Sequence, residues 1–196
     1  MEQISQMFLG FIDSYGYIAV AVLMAMENAC IPIPSELILG FAGYLIYAEK
    51  MTFTGAMIAG MIGGMAGSIF AYAVGATGGR KFVDKYGKYF LIKKSHVDLA
   101  QNWFDKYGIR AVFFSRMLPV VRTFISLPAG FARVNFPSFL FYTFAGSLPW
   151  TALILYAGMF LGENWRKLLD IGHEASIAFV IICVIILAVI FFRRRR

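Results

Sequence analysis

ENACIPIPSE covers Glu27–Glu36 and FSRMLPVVR covers Phe114–Arg122, and each stretch interrupts an apolar part of the chain. Prolines in such a setting break the backbone hydrogen-bond ladder of a helix. In a membrane, broken backbone is tolerated only where protein or a water-filled cavity covers it. The two interruptions therefore predict that regions 15–47 and 111–133 are re-entrant hairpins or discontinuous helices, with breaks at Pro32, Pro34, Pro119 and Pro128.

The composition around these stretches is that of an integral membrane protein. Of the 196 residues, 60% are hydrophobic and 15% are charged, whereas an ordinary soluble chain is roughly 25% charged. Too little polar surface remains to cover a water-soluble globule. The net charge of +7 does not indicate a nucleic-acid partner, because the basic residues concentrate in two blocks, 80–110 and 193–196, beside apolar runs.

Three apolar runs are long enough for a transmembrane helix, which takes about 20 residues. They are 55–78, 137–161 and 175–192. We therefore expect an all-α polytopic protein that forms a single membrane domain over residues 1–196.

The chain also repeats a short series of motifs. D-x-Y-G-x-x-A-V occurs at 13–20 and again at 105–112. In both halves it is followed by Ala-Gly and then by Ala-Gly-Ser, at Ala42-Gly43 and Ala66–Ser68 in the first half and at Ala129-Gly130 and Ala145–Ser147 in the second. The series predicts two repeats, each a broken hairpin plus one transmembrane helix. Repeat one covers about 13–79, repeat two covers about 105–162, and the C-terminal span at 175–192 follows.

Charge predicts the orientation of these elements. Segment 80–110 carries eight Lys and Arg residues against three Asp residues, so we expect a cytoplasmic, amphipathic segment on the inner leaflet. The Arg193–Arg196 tail predicts a cytoplasmic C-terminus. Parity then makes the two repeats inverted and puts the N-terminus outside. Inverted repeats with broken helices are typical of secondary transporters, which bind substrate near the bilayer midplane.

Arg116 and Arg122 are the strongest candidates for function. An arginine near mid-membrane costs roughly 2.5–3.5 kcal/mol on insertion scales, so a pair needs a compensating partner. The planar guanidinium suits phosphate and carboxylate, which predicts an anion site. The alternative is that both arginines only pair with Glu27 and Glu36 and so hold the hairpins together.

Glu27 and Glu36 are candidates for coupling or gating. Burial disfavours the charged form of a carboxylate and a nearby arginine favours it, so such a group can change protonation as its surroundings change. A permanent ion pair with the arginines remains the alternative.

Enzymatic and metal-dependent functions find no support in the motifs. Neither His96 nor His173 accompanies a membrane nucleophile, and hydrolase, metalloprotease and P-loop signatures do not occur. Cys30 and Cys183 lack metal-ligand spacing. We expect no enzyme, no metal and no cofactor. Glycines at four-residue spacing, such as Gly63 and Gly67, predict close helix packing and allow a homodimer.

ENACIPIPSE with the following GFAG, together with FSRMLPVVR and the later PAG, resembles the DedA family of SNARE-associated, or VTT-domain, membrane proteins. The IPIPSE and VVRTFISLPAG segments look most like members that recycle undecaprenyl phosphate. The resemblance implies facing re-entrant hairpins, essential arginines at Arg116 and Arg122 that hold a lipid phosphate, and embedded acids at Glu27 and Glu36. Many relatives carry an aspartate where this chain has Glu36.

This resemblance implies a translocase for undecaprenyl or another polyprenyl phosphate in the bacterial cytoplasmic membrane, coupled to an ion gradient. Three alternatives stay open at this point. They are a phospholipid flippase or scramblase, acting for example on phosphatidylethanolamine, a proton-coupled small-ion transporter, and a non-transporting envelope scaffold.

Overall fold

The computed structural model describes residues 2–31, 33–90, 102–118, 121–164 and 167. All regular structure in these ranges is helical. The predicted C-terminal span at 175–192 and the Arg193–Arg196 tail lie outside the described residues.

Two helices of the described chain are long and apolar enough to cross a bilayer. They are Phe53–Thr77, within helix α4 (Phe53–Phe90), and Phe136–Asn164, which contains helix α9 (Phe136–Leu161). At 1.5 Å per residue, the 26 residues of α9 extend about 39 Å, more than the roughly 30 Å hydrocarbon core. The predicted spans at 55–78 and 137–161 are thus confirmed as long apolar helices. The backbone of α4 stays helical through the basic residues that begin at Arg80, whereas the surface location of segment 80–110 stays a prediction.

The proline-containing regions and the segments just before them form shorter helices, none long enough to span a bilayer alone. The first half has α1 (Glu2–Tyr15), α2 (Tyr17–Asn28) and α3 (Ser35–Tyr47). The second half has α5 (residues 102–107), α6 (Arg110–Arg116), α7 (Val121–Phe124) and α8 (Ser126–Phe131), and a short 3₁₀ turn at Gly162–Asn164 follows α9.

Each long helix packs against one short helix from its own half and one from the other half. Helix α4 contacts α2 and α8, and α9 contacts α6 and α3. The close contact between α2 and α4 depends on small residues, because a Cβ at Gly63 or Gly67 would collide with the backbone of Ala21 or Ala25. This is the small-residue packing that the glycine spacing predicts.

Apolar side chains cover much of the outside of the long helices. Ile62 and Phe70 of α4, and Phe141 and Phe160 of α9, are 61–79% exposed. A soluble monomer rarely exposes a large continuous apolar surface. Lipid is the solvent that these side chains match, in agreement with the composition.

Polar contacts join the loop between α3 and α4 to the end of α1 and the start of α2. Lys50 donates a hydrogen bond to Asp13 at 2.9 Å, which raises the pKa of Lys50, and the Thr52 N–H donates to the Tyr17 hydroxyl at 2.8 Å. These groups are exposed, so their ion pair adds little to stability. The buried polar groups instead lie at the opposite ends of α2 and α3, where the chain breaks.

A buried polar centre between the two chain breaks

The end of α2 and the α6–α8 region meet at one place inside the protein. Cys30, two residues past the end of α2, lies in the left-handed region at φ 71°, and the Ile31 N–H donates to the Met26 carbonyl. This is the geometry of a Schellman helix end. It turns the chain sharply and places the Cys30 Sγ 3.7 Å from the carbonyl of Thr123, in α7.

Among the described residues, Arg116, at the end of α6, is the largest fully buried side chain, with 1% of its surface exposed. Its Nη1 donates to the Asn28 Oδ1 at 2.7 Å, and its Nη2 donates to the hydroxyls of Ser126 at 2.6 Å and Ser68 at 2.8 Å. These partners come from α2, α8 and α4. A single guanidinium therefore joins three helices through neutral acceptors, and it makes no ion pair within the described chain.

Asn28 connects Arg116 to Glu27. Its Oδ1 accepts from Arg116, and its Nδ2 donates to the Glu27 carboxylate at 2.9 Å and to the Met24 carbonyl at 3.0 Å. Because a guanidinium only donates and a carboxylate only accepts, these neighbours allow one orientation of the amide. The amide thus separates the positive charge of Arg116 from the negative charge of Glu27 while bonding to both.

Arg122, in α7, is held much less tightly than Arg116. It is 3% exposed, and its Nη2 lies 3.4 Å from the Glu27 Oε2, well beyond the 2.7–2.9 Å typical of a charge-assisted bond. Its Nε and Nη1 have no hydrogen-bond partner in the described structure. The Arg122 Cζ lies 5.4 Å from the centre of the Trp150 ring, which covers one face of the guanidinium.

Helix α9 supplies the remaining wall through one of its faces. Thr143, Gly146 and Trp150 recur at intervals of three and four residues and so share that face. A Cβ built on Gly146 would lie 2.8 Å from the Arg116 Cβ, so glycine is what allows α6 to approach this closely. Pro149, inside α9, cannot donate the hydrogen bond that Ala145's carbonyl would otherwise receive.

The structure brings three of the four predicted charges together and leaves the fourth apart. Arg116, Arg122 and Glu27 are buried within one network, whereas Glu36 is half-buried in the first turn of α3, where it accepts a 3.4 Å hydrogen bond from Ser35. In the described residues, Glu36 makes no ion pair with either arginine.

The predicted proline breaks are distributed as follows. Pro34 immediately precedes α3, and Pro128 lies within the first turn of α8, where a missing N–H is tolerated. Pro32 and Pro119 lie outside the described residues. Both of the predicted break prolines that the structure describes therefore lie at helix starts.

Four further polar residues belong to this centre but were not singled out from the sequence: Asn28, Ser68, Ser126 and Trp150. Ser68 lies within the repeated Ala-Gly-Ser motif, and Asn28 adjoins Glu27 in an apolar helix, so both carried some signal. Ser126 and Trp150 carried none, because single serines and tryptophans in apolar helices are ordinary.

Helices with an apolar exterior around a buried cluster of arginine, carboxylate, amide and hydroxyl groups define a polytopic membrane protein with an internal polar site. The VTT domain matches residues 33–160 of the chain. The chain belongs to this VTT-domain, or DedA, family, which confirms the resemblance carried by ENACIPIPSE and FSRMLPVVR.

Several relatives align over nearly the whole chain. "Undecaprenyl phosphate transporter A" of Bacillus subtilis is 42% identical over 188 residues, covering 96% of this chain and 93% of its own. The Staphylococcus aureus protein of the same name is 32% identical, with 100% and 96% covered. An "Alkaline phosphatase-like protein" of Lactococcus lactis is 34% identical, with 97% and 92% covered. No solved structure matches the chain significantly.

Proposed function

We propose that this protein translocates undecaprenyl phosphate, or a similar polyprenyl phosphate, across the bacterial cytoplasmic membrane and so recycles the carrier lipid. The observation that carries the proposal is the buried Arg122, which has one long contact to Glu27 and two nitrogens without a partner. The names of the Bacillus and Staphylococcus relatives support this substrate.

The two arginines have different parts in holding the phosphate. Arg116 is hydrogen-bonded to residues of three helices, so it contributes a positive charge whose position is fixed. Arg122 has two unpartnered donor nitrogens and makes the direct contact with the phosphate. Two buried positive charges beside a single carboxylate leave a net positive site, which an anionic headgroup neutralises.

Glu27 acts as the gate in this proposal. It contacts Arg122 through Nη2, the nitrogen that belongs to both two-nitrogen edges with which a guanidinium grips an anion. Because Nη2 carries two hydrogens, one for each edge, Glu27 engages at most one edge, and a phosphate that takes that edge must displace the carboxylate. Exchange of carboxylate for phosphate then couples substrate binding to the state of Glu27. We assign the half-buried Glu36, at the start of α3, a role in admitting the coupling ion.

Transport requires that the two halves move against each other, and we propose inverted repeats for this purpose. Corresponding positions support them: Gly16 and Gly108, from the repeated motif, have φ 55° and 70° between successive helices. Gly43 packs on α9, and Gly130 packs on α4. In this proposal each repeat contributes one re-entrant hairpin, and the hairpin breaks meet at the polar centre.

The orientation follows from charge. In this proposal basic segment 80–110 and the Arg193–Arg196 tail lie in the cytoplasm, and the parity of the crossings puts the N-terminus outside. The headgroup then enters from the outer leaflet and leaves toward the cytoplasm while its tail stays in the bilayer. A homodimer is compatible with this path but is not needed for it, since one chain supplies every group of the site.

A leaflet-specific hydrolysis assay tests the proposed function. Proteoliposomes containing undecaprenyl phosphate are treated with a membrane-impermeant phosphatase. Phosphate release should continue past the outer-leaflet fraction with the wild type and with Arg133→Ala, an exposed control, and should stop at that fraction with Arg122→Ala. If phosphate release by the wild-type vesicles also stops at the outer-leaflet fraction, the proposal is overturned.

The same vesicles separate the alternatives. Release without added phosphatase would make the chain an enzyme, as the name of the Lactococcus relative suggests. Equal movement of labelled phosphatidylethanolamine would favour a flippase or scramblase. Unchanged rates with and without an imposed pH gradient would remove proton coupling. Movement of neither lipid would leave the ion-transporter and scaffold readings.

A further inference from the structure

The polar centre holds more buried donors than the protein satisfies. Four N–H nitrogens in the described chain are buried without an acceptor: Nε of Arg116, Nε and Nη1 of Arg122, and Nε1 of Trp150. Native proteins leave few buried polar atoms unpartnered, and each such atom asks for an explanation. All four belong to three side chains of the polar centre, so the missing acceptors are concentrated in this centre.

Trp150 stands out because nothing in the transport proposal uses it. The indole N–H is donor-only and usually finds a partner when buried. Here the Arg122 Cζ lies 5.4 Å from the centre of the indole ring, so the ring that carries the unpartnered Nε1 adjoins the guanidinium that carries two more unpartnered nitrogens. Trp150 also follows Pro149 and shares a helix face with Gly146, which packs on Arg116.

We infer that Trp150 is a phosphate-contacting residue, whose indole N–H donates to the phosphate monoester that Arg122 binds. A phosphate monoester presents three strong acceptor oxygens, so one can face the guanidinium while another faces the indole. This inference rests on the proposed function and adds a second, uncharged donor to the site. The ring also keeps water from the face of the guanidinium that it covers, which strengthens the attraction between Arg122 and the phosphate.

The indole donor also discriminates among anions. A carboxylate that pairs bidentately with Arg122 uses both of its oxygens there, whereas a phosphate monoester has a third oxygen for the Trp150 N–H. A site whose buried donors stay unpaired with the wrong ligand rejects that ligand strongly. Trp150 therefore favours a phosphate headgroup over the internal carboxylate of Glu27, which is the exchange that loading requires.

The indole proton gives a direct readout in the unmodified chain. The protein is labelled with ¹⁵N-tryptophan, reconstituted in nanodiscs and titrated with undecaprenyl phosphate, undecaprenol or inorganic phosphate. Three indole signals are expected and are assigned with Trp150→Phe, Trp103→Phe and Trp165→Phe. The Trp150 signal should move downfield with undecaprenyl phosphate and stay in place with undecaprenol. A shift with inorganic phosphate as well would mean that the headgroup alone suffices.

Affinity gives the second readout. Trp150→Phe keeps an aromatic face over Arg122 but removes the N–H, so undecaprenyl phosphate affinity should fall on the order of tenfold, as for a bond to a charged group. Trp103→Phe, on the peripheral α5, should bind as the wild type does. If wild-type binding saturates while the Trp150 signal stays fixed and Trp150→Phe binds normally, the inference is wrong although the proposed function stands. If the wild type binds no undecaprenyl phosphate, both are overturned.

Discussion

Replacing Ser126 with alanine tests whether Arg116 is the structural centre of the protein. The Ser126 hydroxyl accepts from the Arg116 Nη2 at 2.6 Å, and Ser68 accepts from the same nitrogen at 2.8 Å. Nη2 carries two hydrogens, so each serine takes one. Ser126→Ala therefore leaves one buried N–H of a charged group without an acceptor.

The cost of this change can be bounded. Interhelical hydrogen bonds in a membrane protein average about 0.6 kcal/mol, with a maximum of about 1.7. Bonds to charged groups in soluble proteins contribute about 1.5–3 kcal/mol. Ser126 is fully buried and its partner is charged, so the upper end of the membrane range applies. We expect Ser126→Ala to lower the free energy of unfolding by about 1.5 kcal/mol.

Reversible unfolding in lipid bicelles measures this quantity. A double-mutant cycle with Arg116→Met isolates the pair, because Ser126→Ala should cost little once the guanidinium is gone. Ser147→Ala, a serine on α9 that makes none of the described hydrogen bonds, controls for the loss of a hydroxyl. An equal loss in both Arg116 backgrounds would refute the claim that Ser126 stabilises the protein through Arg116.

Two further substitutions probe the same centre. Gly146→Leu would push a side chain into Arg116, since a Cβ there already lies 2.8 Å from the Arg116 Cβ. Overpacking should lower the free energy of unfolding by about 1–3 kcal/mol. A binding assay should also show loss of phosphate-lipid binding. Asn28→Leu should cost about 1.5–3 kcal/mol, measured by the same unfolding experiment, because the Arg116 Nη1 and the Glu27 carboxylate each lose a short hydrogen bond.

Matched controls lie elsewhere on the helices. Gly10→Leu is the control for Gly146→Leu, because a Cβ at Gly10 meets nothing within 4 Å. Asn102→Leu, at an exposed position of α5, is the control for Asn28→Leu. Full phosphate-lipid binding by Gly146→Leu, or wild-type stability in Asn28→Leu, would contradict the geometry of the polar centre.

Much of the architecture follows from the sequence, because hydropathy and proline act locally. The runs at 55–78 and 137–161 fall within α4 and α9, and the interrupted stretches fall between short helices. The cost of a charge in a membrane singled out Arg116, Arg122, Glu27 and Glu36; the first three are buried, whereas Glu36 is half-buried.

The partners of those charges could not be predicted, because they depend on how the helices pack. The sequence left open that both arginines pair with Glu27 and Glu36; the structure pairs only Arg122 with Glu27 in its described part, and gives Arg116 neutral acceptors. The acceptors Asn28 and Ser68 lie 88 and 48 residues from Arg116 along the chain, so they meet its guanidinium only through helix packing. No local pattern encodes it.

Direct binding of the phosphate lipid tests the central claim, that the charges between the two chain breaks form an anion site. Native mass spectrometry compares undecaprenyl phosphate with phosphatidylethanolamine, on the wild type and on Arg122→Ala and Arg133→Ala. The site predicts that the wild type and Arg133→Ala prefer undecaprenyl phosphate and that folded Arg122→Ala loses the preference. Equal, weak binding of both lipids by all three proteins would contradict the site and make the buried charges purely structural.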